Sequence, residues 1–186
     1  MIQITRRSAL RGGITGFTAF AFAGAESLLT PREAKAAGLP FVTLTPSQAT
    51  TLEALGDRLA LGAAENGIAH FIDQQISVPP ADALLILRYL DFPPPFSAFY
   101  DSGLSALDSS SQAIYGSPFA AISDAQRDSL IVLMATGTPN GWTGIPAPLF
   151  YYAVRSDAVD VVYGTIEGFE RLKIPYMPHI VPPRSW

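Results

Sequence analysis

Two histidines, His70 and His179, and no cysteine set a ceiling on the chemistry this chain could perform alone. The two imidazoles lie on separate segments, and no HxxxH or ExxH spacing sets a second metal ligand beside either one. His70 falls between Ile68 and Phe71 on a helical stripe, where a half-buried histidine with its hydrogen bonds met is the expected role. Asp57, Glu65 and Asp73 are near one another, but their spacing suits a solvated helix face better than an acid/base pair. Gly141-Trp142-Thr143-Gly144 lacks the lysine and the following helix of a phosphate loop, and no serine sits in a GxSxG elbow. Zero cysteines exclude disulfides, iron–sulfur clusters, a CxxCH haem site and a lipobox anchor. The expectation is a chain with no catalytic residue, no metal and no cofactor of its own.

What the sequence offers instead is apolar surface in an unusual place. From Ala147 the residues Leu149, Tyr152, Ala153, Val159 and Val162 recur at helical spacing as far as Gly164. Beyond it Ile166, Phe169, Leu172, Ile174, Tyr176, Met177 and Ile180 stay apolar, while Pro175, Pro178, Pro182 and Pro183 forbid a continuous helix. Such a tail must bury its surface against its own body or against another chain. The second reading is the sharper one, and it makes Trp142, Tyr151, Tyr152, Tyr163, Glu167, Phe169, Tyr176, His179 and Trp186 the expected partner interface.

The first 36 residues read as a targeting segment. Arg6 and Arg7 precede a mild apolar run from Gly12 to Ala25 that contains no acidic residue. Leu10 stands three residues after Arg7 and a further basic residue follows it, as in the twin-arginine export signal, with Ala9 in place of the usual Phe. The run is shorter than the roughly 20 residues that span a bilayer. Ala34-Lys35-Ala36 then supplies a small-x-small cleavage pattern, with Ala34 and Ala36 as the recognition residues. A periplasmic destination follows, reached by the twin-arginine translocase, which carries folded cargo. Five of the 12 basic and two of the 16 acidic residues lie in this segment, so residues 37–186 keep 7 and 14, a net charge of −7. That balance argues against nucleic acid or anionic membrane as a partner.

The elements that must hold these residues are helices. Thr45-Pro46-Ser47-Gln48 is a helix start with a capping box, and Ala49, Leu52, Leu55 and Leu59 line one face up to Gly62. Ile68, Phe71, Ile72 and Ile76 mark a second helix, and residues 81–91 a third with few polar positions, expected to be central. Phe96, Phe99, Tyr100, Gly103, Leu104 and Leu107 mark a fourth, which Ser109-Ser110-Ser111 should loosen. Ser123-Asp124-Ala125-Gln126 opens a fifth through Leu130, Ile131, Leu133 and Met134. No period-2 strand pattern of any length occurs. Residues 37–186 are therefore expected to form one all-α domain of five or six short helices, with 146–186 its C-terminal helix and wrapping tail.

Three stretches carry a resemblance. They are the twin-arginine start at Arg6-Arg7, the opening from Leu44 to Arg58 followed by Gly67 to Gln75, and Asp157-Ala158-Val159 running through Val162-Tyr163-Gly164 and Glu167-Gly168 into the aromatic tail. Together the chain resembles the gluconate 2-dehydrogenase subunit 3 family, the small subunits of periplasmic flavin-dependent sugar and alcohol dehydrogenases. It departs from the family after Arg58, where Leu59-Ala60-Leu61-Gly62 replaces the usual Ile-Pro segment and acidic loop. The resemblance implies a non-catalytic subunit that supplies the export signal. Its implied partner is a large flavoprotein of the glucose-methanol-choline type, which holds FAD and oxidises the substrate, and a separate cytochrome c can take the electrons. Two other readings stand beside it: a self-contained periplasmic binding protein, and an enzyme using His179, Tyr163, Tyr176 and Glu167.

Overall fold

The structure, a computed structural model, describes residues 20–25 and 28–174. Its first helix, α1 (Pro31–Ala36), opens on a reciprocal cap between Thr30 and Glu33. The same device opens α2 (Pro46–Leu59) at Thr45 and Gln48, as the sequence predicts. Each cap satisfies two backbone donors that a helix start would otherwise leave unpaired. α3 (Ile68–Ser77) follows Gly67, whose φ of +81° lies in the left-handed region. A Cβ at Gly67 would stand 2.2 Å from the Pro31 carbonyl oxygen, so glycine is what lets α1 seat against the start of α3.

Residues 81–91 do not form the central helix expected of them; only α4 (Ile86–Tyr89) is helical there. The reason is competition from side chains, two of them outside the segment. Gln75 takes the Leu84 N–H at 2.6 Å and Asp157 takes the Ile86 N–H at 3.3 Å, while Arg88 donates to the Ala83 carbonyl at 3.1 Å. Backbone groups bonded in this way have no need of a helical ladder, and Ala83, Leu85 and Leu87 are fully buried all the same.

α5 (Phe96–Tyr115) runs straight through the serines that were expected to loosen it. Ser110 and Ser111 are buried, and Ser111 donates to the Ser117 carbonyl at 2.7 Å, so small size and a local bond keep them in the helix. A 3₁₀ turn at Phe119–Ala121 leads to α6 (Asp124–Thr136), capped by Ser123 and Gln126 as predicted. α7 (Ala147–Tyr163) and α8 (Ile166–Arg171) complete eight helices among the described residues, against the five or six expected; α1 and α8 are the additions. An all-α body is what the structure shows. Its only strands among the described residues, Phe20–Ala21 and Leu28–Leu29, form a two-residue antiparallel pair.

The element that organises this body is α7, which packs against α2, α3, α4, α5, α6 and α8. Its Phe150 is fully buried among Phe99, Tyr100 and Trp142, with ring centroids 5.8, 6.4 and 5.9 Å away. Gly103 of α5 faces that ring so closely that a Cβ would fall 2.2 Å from it.

Candidate partner-binding surface

Among the described residues, Asp157, Asp73 and His70 are turned inward. Asp157 of α7 is wholly buried, accepting from the Tyr100 hydroxyl of α5 and from the Ile86 N–H of α4. Burial pushes its carboxyl up to about 7, against the opposing effect of those two donors, with nearby Asp160 adding to the rise. Tyr100 is raised well above its ordinary value by burial and by the Asp157 charge. Three helices therefore meet on one carboxyl group with no opening to solvent.

Asp73 departs from expectation. It does not lie on a solvated face but is buried, and it accepts from the N–H groups of Val42, Thr43 and Leu44, each at 2.8 Å. That clamp folds the arm before α2 onto α3. Asp57 accepts from the Ala64 N–H, and Glu65 pairs with Arg32 at 2.7 Å. His70 is buried between Phe41 and Phe22, with Nε2 3.1 Å from the Leu39 carbonyl and Nδ1 without a protein partner. Among the described residues no three His, Asp or Glu side chains converge as a metal site requires.

The expected interface residues separate into three groups. Trp142 is a correction: it is 7% exposed, packs at a tilt against Phe150 and donates from Nε1 to the Ile145 carbonyl at 2.7 Å. It is core because the Gly- and Pro-rich loop folds its ring inward, where the indole N–H finds a backbone acceptor. Tyr151, Tyr163 and Phe169 are half-buried, the first two against the subunit's own core. Tyr152 is 45% exposed. Glu167 lies in α8. Tyr176, His179 and Trp186 lie outside the described residues, as do Arg6, Arg7 and Leu10 of the export motif. Ala34 and Ala36 lie in α1, Ala34 wholly buried and Ala36 exposed.

Exposed apolar side chains occur on the outer face of α7, where Arg155 lies between them, and on the segment after α8. Tyr152 and Val159 stand two turns apart on one helix face at 45% and 37% exposure, and Leu172 and Ile174 follow at 49% and 51%. Beside the end of α7, the N-terminal segment closes a pocket of about 240 Å³ lined by Phe20, Phe71, Leu84, Val161 and Thr165, with Asp160 at its rim. Partial desolvation raises the Asp160 carboxyl. Sequence reasoning missed two further exposed pairs, Val132 and Leu133 on α6 and Tyr89 and Leu90 at the end of α4. The first was detectable: Leu130, Ile131, Val132 and Leu133 are consecutive, and four consecutive apolar residues cannot all face inward on one helix.

This is a helical domain whose buried Asp157 and Asp73 hold its elements together and whose surface carries exposed apolar side chains. A family profile described as gluconate 2-dehydrogenase subunit 3 matches residues 46–182. The chain belongs to that family, whose description marks its members as subunits of a dehydrogenase complex. No curated protein and no solved structure matches it.

Proposed function

We propose that this chain is the non-catalytic small subunit of a periplasmic flavin-dependent sugar or alcohol dehydrogenase. It carries the export signal, Arg6, Arg7 and Leu10, for a complex that the twin-arginine translocase moves in folded form. Its permanent partner is a large glucose-methanol-choline-type flavoprotein, which holds the FAD and oxidises the substrate; a cytochrome c subunit takes the electrons. The chain itself binds no cofactor or metal. The observation that carries the reading is the family match over residues 46–182. The exposed Tyr152 and Val159 of α7 and Leu172 and Ile174 after α8 offer apolar surface to a lasting partner; permanent interfaces bury roughly 2,000–5,000 Å² in total. The docking face includes the outer side of α7; Tyr176, His179 and Trp186, which lie outside the described residues, are the further contact residues the sequence suggests.

Co-production of the full chain with the large flavoprotein subunit tests this. Both should reach the periplasm and co-purify, and Arg6→Lys with Arg7→Lys should hold both in the cytoplasm. Tyr152→Ala with Val159→Glu should release the flavoprotein at unchanged helicity, a buried hot-spot aromatic being worth about 2–4 kcal/mol of association. A flavoprotein that is exported with the arginine pair replaced removes the escort role. Stoichiometric flavin on the isolated small chain removes the non-catalytic one.

A further inference from the structure

We infer that the export leader is cut after Ala25, within Ala23-Gly24-Ala25, and that α1 stays with the exported protein as part of its fold; this rests on the export reading above. Two small-x-small triplets lie downstream of the apolar run, Ala23-Gly24-Ala25 and Ala34-Lys35-Ala36. A signal peptidase reads small residues at the first and third positions before the cut, in a short segment that directly follows the apolar run. Ala23-Gly24-Ala25 meets that requirement, because it ends the uncharged stretch that begins at Gly12. Between it and Ala36 lie Glu26, Arg32, Glu33 and Lys35, four charges where a leader has none to spare.

The fold separates the two triplets more sharply. Ala34 is wholly buried in a helix capped at both its first-turn donors. That helix is tied to the body by Arg32 with Glu65 at 2.7 Å and Lys35 with Glu53 at 2.6 Å. It also presses the Pro31 carbonyl into the space that only a glycine at 67 leaves open. A protease needs its substrate extended, so cutting after Ala36 would require α1 to leave the body and unwind. Cargo that crosses the membrane folded arrives with α1 docked. Ala23 is exposed, and Ala23-Gly24-Ala25 is a non-helical turn with a single internal backbone bond, Ala25 N–H to the Phe22 carbonyl, between the two-residue strands Phe20–Ala21 and Leu28–Leu29. A cut there removes Phe20 and Phe22 and uncovers the rings of Phe71 and His70 that they touch.

Purified full-length precursor incubated with bacterial signal peptidase in detergent, followed by intact mass and N-terminal sequencing, tests the cut independently of export. A product beginning at residue 26 is expected. Ala25→Leu should abolish it, and Ala36→Leu, at an exposed position, should leave it unchanged. A product beginning at residue 37, or no product, overturns the inference. Sequencing the protein recovered from the periplasm separates the two readings. A start at residue 37 there keeps export and refutes this cut, whereas cytoplasmic retention of a precursor that the peptidase cuts after Ala25 refutes export and keeps the cut.

Discussion

Replacing Asp157 with asparagine isolates the free energy stored in one buried proton. In the folded protein the carboxyl loses its proton near 7, whereas a carboxyl with the ordinary value of 3.8 loses it far earlier. Between those two values the unfolded chain has released its proton and the folded chain still holds it. Stability from this group is therefore complete below about pH 4, falls as pH rises toward 7, and is flat above that. At about 1.4 kcal/mol per tenfold difference, the gap amounts to about 4 kcal/mol in all. The asparagine side chain cannot ionise, yet it keeps an oxygen for the Ile86 N–H and an amide for the Tyr100 oxygen. Denaturant unfolding of the wild-type protein and of Asp157→Asn, at steps from about pH 4 to 8, gives two curves. Titration elsewhere is common to both and cancels in their difference; Asp160, whose charge acts on Asp157, is the neighbour that belongs with it and is counted with it. The wild type should lose about 2–4 kcal/mol relative to the variant across that range, equivalent to roughly 5–15 °C in Tm for a chain of this size. Tyr100→Phe removes a donor that favours the ionised form, so it should move the midpoint to higher pH. Parallel curves for wild type and Asp157→Asn would refute the reasoning.

Gly103→Ala should destabilise the fold by about 1–3 kcal/mol or more, read from the denaturant midpoint, because its methyl meets a Phe150 ring with nowhere to retreat. Asp73→Ala should cost about 2–3 kcal/mol by the same measurement, since it strips three N–H groups of their acceptor; Asp73→Asn, which keeps an oxygen for Thr43 and Leu44, should cost about 1.

Local signals in the chain were read correctly where the physics is itself local. The caps at Thr45 and Ser123 need only residues three apart, and both helices begin where those pairs stand. The family was legible because its marks are spread along the chain from Leu44 to Gly168. Failures came where distant residues decide. The 81–91 segment looked helical until Gln75 and Asp157, from α3 and α7, claimed its backbone donors. Asp73 looked solvated because nothing in its own helix shows that three N–H groups thirty residues upstream fold back onto it. Trp142 stood among turn residues, and only the folded loop brings Ile145 and Phe150 to its ring. Of the expected docking surface, the exposed Tyr152 was legible from composition, but the outward Val132 and Leu133 required counting turns rather than apolar residues.

The place of α7 in the chain bears on when the subunit can fold at all. This helix packs against six of the other seven among the described residues, yet all but α8 of those six are synthesised before it. α2, α3 and α5 therefore leave the ribosome with apolar faces whose common partner has not been made, and contacts so distant in sequence close late. Up to that moment α2, α3 and α5 have only one another and the other earlier elements to pack against. An export route that admits only folded cargo would thus act on completed chains alone, with the arrival of α7 as the event that releases them.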